Sequence, residues 1–166
     1  MPLLPEIIGG EKIRYVVLDD GSDPTQATKV ARRFVSEDKV DIILGSSAVA
    51  PSIAIAEGAD ESQTVQLAFS PIELKPGRGE WTYRLAQPVR LMAEAVAEAA
   101  HARGVKTIAF IGFADAYGET WLKEFTAAAT ARGIRLVATE RYARSDASVT
   151  AQTLKLIAAR PDAVLI

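Results

Sequence analysis

Three short stretches combine residue types with a spacing that could do chemistry. The first is Gly45-Ser46-Ser47-Ala48-Val49-Ala50-Pro51-Ser52. A glycine lets the chain turn sharply, and the small side chains after it leave backbone N–H groups free where a helix begins. Unpaired donors and the helix dipole favour an anion by roughly 0.3–1 kcal/mol at an exposed site and by more once water is excluded. The turn therefore suits a carboxylate, with the Ser46 and Ser47 hydroxyls adding hydrogen bonds. The competing reading is that these serines only cap the helix, a common use of Ser in any protein. The second stretch, Phe69-Ser70-Pro71-Ile72, follows another strand, and on the same sheet edge it would bring Ser70 close to the first turn. The third, Phe113-Ala114-Asp115-Ala116-Tyr117-Gly118, sets an aromatic side chain at a helix start with glycine behind it. Tyr117 is placed there to cover an apolar ligand or stack on an aromatic one. A tyrosine that merely closes a core edge is the alternative.

Other features point away from catalysis. Gly112–Gly118 lacks the Gly-Lys-Ser/Thr of a phosphate loop, and no GxGxxG follows the first apolar run. Asp19 and Asp20 read as turn carboxylates bonded to backbone, not as an acid–base pair or a cation site. His101, the single histidine, falls in the last turn of a helix, and the chain has no cysteine. No catalytic triad, zinc site or iron–sulfur site can be assembled from that set, and no metal or cofactor is expected. Trp81 and Trp121 read as packing residues, with Trp81 the more open to a second role.

The elements that must carry these turns alternate along the chain. Ile13–Leu18 is a β-branched run that breaks at Asp19-Asp20-Gly21-Ser22, which predicts a buried strand and a turn. Asp23 as N-cap, Pro24 at the first helical position and Gln26 open a helix along Ala27, Val30, Ala31 and Phe34. Strand Val40–Leu44, helix Ala50–Ala59, strand Val65–Phe69, a Pro- and Gly-rich loop over 71–80 and a short strand Trp81–Leu85 follow. Then come helix Pro88–Arg103 closed by Gly104, strand Thr107–Ile111, helix Tyr117–Arg132 closed by Gly133, strand Ile134–Thr139, helix Ser148–Arg160 and strand Ala163–Ile166. Such alternation predicts an α/β fold of parallel sheets covered by helices on both faces. Ligands of these sheets sit beyond the carboxyl ends of the strands, where all three turns fall. The loop over 71–80 and the crossover near Gln87 divide residues 1–87 from residues 88–166 as two lobes.

Composition narrows the partners. The 166 residues are 49% hydrophobic, enough to bury a core, and 19 basic against 21 acidic residues leave a net charge of −2. That balance gives no strong positive field, so nucleic acid and anionic membranes are not expected partners. Met1-Pro2-Leu3-Leu4-Pro5 has no basic region or long apolar stretch, and no run of about 18 apolar residues occurs. No export or membrane signal is therefore read in this sequence.

Taken together, IRYVVLDDGSDPTQATKVARRFV, ILGSSAVAPSIAIA, YRLAQPVRLMAEAVAEAA, IAFIGFADAYGETWLKEF and ERYARSDASVTAQTLKLIAARPDAVLI resemble the substrate-binding proteins of branched-chain amino acid ABC transporters, of periplasmic binding protein type I fold. The resemblance implies two Rossmann-like lobes that close by a hinge on a small solute and hand it to a membrane permease, in the periplasm and without bond chemistry. It places the solute carboxylate at the turn of Ser46, Ser47 and Val49 and at the turn of Ser70 and Ile72, with Tyr117 covering the ligand from the second lobe. Val49 stands where family members usually carry Ser or Thr, and Ile72 where many carry another hydroxyl residue. Fewer polar partners for a desolvated zwitterion point to a less polar solute, an aromatic or aliphatic carboxylate, beside a branched-chain amino acid. The resemblance further implies a chain truncated at both ends. A strand ahead of Ile13 would be missing between the runs Ile13–Leu18 and Val40–Leu44, and the acidic group for a ligand ammonium would lie beyond Ile166. Unpaired strands at that gap predict instability or self-association. A sensing domain of a regulator or receptor with the same fold is the rival reading.

Overall fold

The computed structural model describes residues 4–166, so the leader reading of Met1-Pro2-Leu3 falls outside the described residues. A small hairpin opens the described chain, with β1 (Ile7–Ile8) antiparallel to β2 (Glu11–Lys12). Gly9 and Gly10 between them both have positive φ, +61° and +91°, the requirement of a two-residue turn whose twist matches its strands. Sequence patterning missed this hairpin because its strands are two residues each and exposed, with no alternation to read.

The predicted strand Ile13–Leu18 does not form. The segment has no regular secondary structure and belongs to no sheet, and Tyr15 and Val17 are exposed. β-Branched residues favour strands because they fit a pleated, half-buried surface. Here no neighbouring strand supplies that surface. The segment is held instead by Ile13 N–H to the Glu6 carbonyl at 2.9 Å, by the Tyr15 hydroxyl to the Pro5 carbonyl at 2.8 Å, and by Arg14 to the Asp38 carbonyl.

Helix α1 (Pro24–Arg33) starts as its cap residues require. Asp23 accepts from the Gln26 N–H, and Ala27, Val30 and Ala31 face inward. The helix runs on into a π-helical turn, Phe34–Asp38, that ends on Lys39 in the left-handed region. Then come β3 (Ile42–Leu44), α2 (Val49–Ser62), β4 (Val65–Ala68) and β5 (Thr82–Arg84). They form a parallel three-stranded sheet in the order β3-β4-β5. Helices α1 and α2 pack on each other, and Ala27, Ala31, Ile43 and Ile55 make the core beneath them.

The second lobe comprises α3 (Val89–Ala102), β6 (Thr107–Phe113), α4 (Ala116–Thr130), β7 (Arg135–Tyr142), α5 (Thr150–Ala158) and β8 (Ala163–Leu165). Its parallel sheet runs β7-β6-β8, which puts β6 in the centre. Ile108 points to one face, with Ala93 and Ala97 of α3, Phe125, Ala128 and Ala129 of α4, and Ile134. Ala109 and Ile111 point to the other and meet Leu156 of α5. Burial on both faces is why Thr107–Phe113 reads as a continuous apolar run. Helices thus cover both faces of the second sheet. The first sheet is covered on one face only, and Ile42, Leu44, Tyr83 and Leu85 are exposed on its strands and their ends.

Candidate functional site

The bend that ends β3 is built from Gly45 to Ala48. Gly45 is buried at φ +117°, a backbone shape that L side chains rarely adopt, and the Gly45–Ser46 peptide is cis. The Gly45 N–H donates to the Leu67 carbonyl at 2.9 Å and the Phe69 N–H to the Ser46 carbonyl at 3.2 Å, so the bend is pinned to β4 and its exit. Ser46 is half-buried and its hydroxyl oxygen accepts from the Ala48 N–H at 3.3 Å, while Ser47 is exposed.

Helix α2 begins directly after, and no side chain caps it: Ala48 is the N-cap. The N–H groups of Val49 and Ala50 precede any helical acceptor, and Pro51 at the next position has none to leave unsatisfied. Helix α4 differs. There Asp115 accepts from the Tyr117 and Gly118 N–H groups, both at 3.0 Å. The reading of Ser46 and Ser47 as plain caps of α2 is thus not what forms; Ser46 bonds one residue before the helix and Ser47 makes no cap bond.

Ser70 is buried beside this bend. Its hydroxyl donates to Ser52 Oγ at 2.7 Å and lies 3.3 Å from the Ala48 carbonyl, so in this conformation it supports the bend from inside. Ile72 is 3% exposed and Val49 6%, and together with Ala68 they form an apolar floor. Tyr117, at the first turn of α4 in the other lobe, packs against that floor with Ile53 and Leu74. Ser46, Ser47, Val49, Ser70 and Ile72 therefore lie on two adjoining turns at the carboxyl ends of β3 and β4, and Tyr117 packs across the lobes on the apolar cluster of Val49 and Ile72.

Around Tyr117 lies an apolar cleft of about 180 Å³ lined by Phe110, Phe113, Tyr117, Trp121, Tyr142 and Leu165. Tyr117 and Trp121 meet edge to face at 6.4 Å, and Phe113 and Tyr142 are tilted at 4.8 Å, so with Phe110 five aromatic rings form its wall. Charged groups sit on its rim. Arg144 pairs with Asp115 at 2.9 Å, and Arg141 grips Glu119 through both its Nε and Nη2. The Arg141 guanidinium, chiefly through its hydrogen bond, holds the Glu119 carboxyl below the usual carboxylate range.

Several further residues bear on the site. Gln66 in β4 is wholly buried, with its amide on the Gly45 and Ser52 carbonyls, and Thr82 of β5 donates to its carbonyl oxygen. A glutamine in the middle of an apolar strand is the one signal that could have flagged it. Asp19 and Asp20 accept from the Gly21 and Ser22 N–H groups, each at 2.8 Å, as turn carboxylates do. Trp121 packs on the second-lobe core, and His101 lies exposed in the last turn of α3. Among the described residues no group of three or more His, Asp or Glu side chains is gathered as metal ligands would be.

The sequence profile of periplasmic binding proteins matches residues 6–166. An extracellular ligand-binding receptor from Rhodopseudomonas palustris superposes with a TM-score of 0.94 at 42% identity, over 98% of this chain and 45% of that one. A leucine binding protein from Thermotoga maritima gives a TM-score of 0.83 at 25% identity, over 96% of this chain and 46% of its own. An amino acid binding protein from Pseudomonas aeruginosa is 36% identical over 69 residues, which are 42% of this chain and 18% of the relative. The chain thus spans less than half the length of these solved structures. With two parallel-sheet lobes, paired turns at their strand ends and a profile match over nearly its whole length, this chain belongs to the periplasmic binding protein family.

Proposed function

We propose that this chain is part of an extracytoplasmic solute-binding protein of an ABC transporter. It captures a branched-chain amino acid or a related small carboxylate between two lobes, residues 1–87 and 88–166, and presents it to a membrane permease. The N–H groups at the start of α2, with the Ser46 and Ser47 hydroxyls and the turn containing Ser70, hold the carboxylate, the Ser70 hydroxyl bracing the bend from inside through Ser52. Val49 and Ile72 form the apolar floor and Tyr117 closes over the ligand. The protein does no bond chemistry, and it works in the periplasm.

The observation that carries this reading is the uncapped start of α2 facing a tyrosine from the other lobe. A helix start without a side-chain cap keeps donors available for an anion, and the apolar floor supplies the less polar half of the solute's surroundings. The relatives named for leucine and amino acids support a carboxylate-bearing solute. Hinge closure of the lobes over such a ligand is the usual action of two-lobed binders.

Calorimetric titration of the full-length protein with leucine and with benzoate tests the reading. Saturable binding of either acid, lost in the corresponding amide, supports it. Equal affinity for acid and amide would remove the carboxylate from the account. The free edge of β3, the unpaired Ile13–Leu18 segment and the bare sheet face at Ile42, Leu44, Tyr83 and Leu85 favour self-association of the isolated 166-residue chain, measurable by sedimentation.

A sensing role is the second reading, favoured by the receptor description of the Rhodopseudomonas relative. Ligand-dependent binding to a signalling partner, without loss of uptake on deletion, would support it over transport.

A further inference from the structure

Three polar side chains are wholly buried in the described core, Ser52, Gln66 and Ser70. All three converge on the bend before α2. The Gln66 amide nitrogen donates to the Gly45 carbonyl at 2.8 Å and to the Ser52 carbonyl at 3.1 Å. Its carbonyl oxygen accepts from the Thr82 hydroxyl at 3.0 Å. Ser52 donates its hydroxyl to the Ser46 carbonyl at 2.8 Å and accepts from Ser70 at 2.7 Å. One glutamine thereby ties together the bend, the first turn of α2 and β5.

A buried amide is costly unless its hydrogen bonds are made, and an apolar side chain of the same size would fill the space without that demand. What the polar network does that an apolar one cannot is fix the direction of the carbonyls. In a trans peptide the C=O and the next N–H point opposite ways. Holding the Ser46 carbonyl inward, between Ser52 Oγ and the Phe69 N–H, turns the Ser47 N–H outward. The Ala48 carbonyl, engaged by Ser52 N–H at 3.1 Å and near Ser70 Oγ, does the same for the Val49 N–H.

We propose that Gln66 is a positioning residue for carboxylate binding, setting through Ser52 and the Gly45 carbonyl the direction of the N–H donors at Ser47 and Val49. The proposal rests on the reading of this bend as the carboxylate site. Thr82 keeps the Gln66 amide in the orientation that presents its NH2 group to the two carbonyls.

The test compares Gln66→Leu and Thr82→Val with the full-length protein and with Leu156→Ala, a core substitution in the other lobe. The probes are leucine with leucinamide and benzoate with benzamide. Loss of stability alone weakens acid and amide by the same factor. Gln66→Leu is expected to reduce the acid-over-amide preference about tenfold, the equivalent of one to two hydrogen bonds. Thr82→Val is expected to give a smaller change in the same direction, and serves if Gln66→Leu does not fold. Leu156→Ala is expected to leave the preference intact. Amide 1H–15N spectra without ligand supply an independent readout: in both Gln66→Leu and Thr82→Val the Ser47 and Val49 signals move, while those of β6 stay. An unchanged preference together with unmoved Ser47 and Val49 amides overturns the role of Gln66. If the unmutated protein binds neither acid, the carboxylate reading fails, and the amide spectra alone then decide whether Gln66 orients the bend.

Discussion

The guanidinium carbon of Arg144 stands 3.8 Å from the centroid of the Phe113 ring. The same guanidinium pairs with Asp115, whose carboxylate also caps α4 by accepting from the Tyr117 and Gly118 N–H groups. One carboxylate thus links Arg144 to the backbone under Tyr117.

Removing that carboxylate should loosen α4 at its start. Asp115→Ala is expected to destabilise the protein by about 1 kcal/mol, the usual worth of an N-cap. Arg144→Ala should cost less than about 1 kcal/mol, since its ion pair is partly exposed. Urea unfolding of the two variants checks the order. A larger effect from Arg144 would mean that its stacking on Phe113 outweighs the cap.

Gly118 has no room for a side chain. A Cβ there would meet the backbone carbonyl of Phe113 well inside van der Waals contact, and backbone cannot swing aside as a flexible side chain does. Gly118→Ala should therefore push α4 off the end of β6, with a loss of about 1–3 kcal/mol. Tyr117 would move with it. Near-ultraviolet circular dichroism should report the changed packing of Tyr117 on Trp121, and an unaltered spectrum would contradict this account.

Val49 tests what the apolar floor selects. It is buried beneath Tyr117 with Ala68 and Ile72. Val49→Ser puts a hydroxyl into that floor and should cost about 1–3 kcal/mol of stability. On the proposed function it also adds a polar partner for a zwitterion, so the affinity ratio of leucine to benzoate should rise. Paired calorimetric titrations measure the ratio, and a fall would argue that Val49 does not border the solute.

Asp162 makes the stability of the second lobe depend on pH. Its carboxylate accepts from the Lys106 N–H at 2.9 Å, the Thr107 N–H at 2.8 Å and the Thr107 hydroxyl at 3.0 Å, joining the start of β8 to the start of β6. These bonds, the Lys106 N–H foremost, hold its pKa below the ordinary value. A group depressed in the folded state contributes fully above its unfolded pKa of about 3.9 and loses that contribution as pH falls through the folded value. Asp162→Asn should thus be less stable at neutral pH and show a shallower loss of stability below about pH 4. Unfolding midpoints at pH 7 and pH 3 give the comparison.

Much of this architecture could be read from residue patterns, for local reasons. Asp23-Pro24 and the periodic Ala27, Val30 and Ala31 placed α1, and the continuous apolar run at Thr107 placed the central strand of the second sheet, because a strand buried on both faces has no polar alternation. Ile13–Leu18 misled because strand propensity presupposes a neighbour, and sequence alone does not supply one. The turns of Ser46, Ser47 and Ser70 were visible as small residues after strands. Their division of labour was not: Ser47 lies outside, whereas Ser70 is turned inward onto Ser52, and only three-dimensional packing decides which way a hydroxyl faces. Gln66 escaped notice because its partners, Gly45, Ser52 and Thr82, are far apart in the chain and meet only across the sheet.

The uneven dressing of the two sheets has a consequence for how the molecule breathes. Strand β6 sits between two helical layers and two neighbouring strands, whereas β3 has helices on one side and a bare flank along its outer edge. Amide protons at Phe110 and Ile111 should accordingly exchange with deuterium only in the rarest openings, and those of Ile42–Leu44 much sooner. The half expected to open first is the one that carries the bend before α2, so the proposed solute site lies on the less protected of the two sheets.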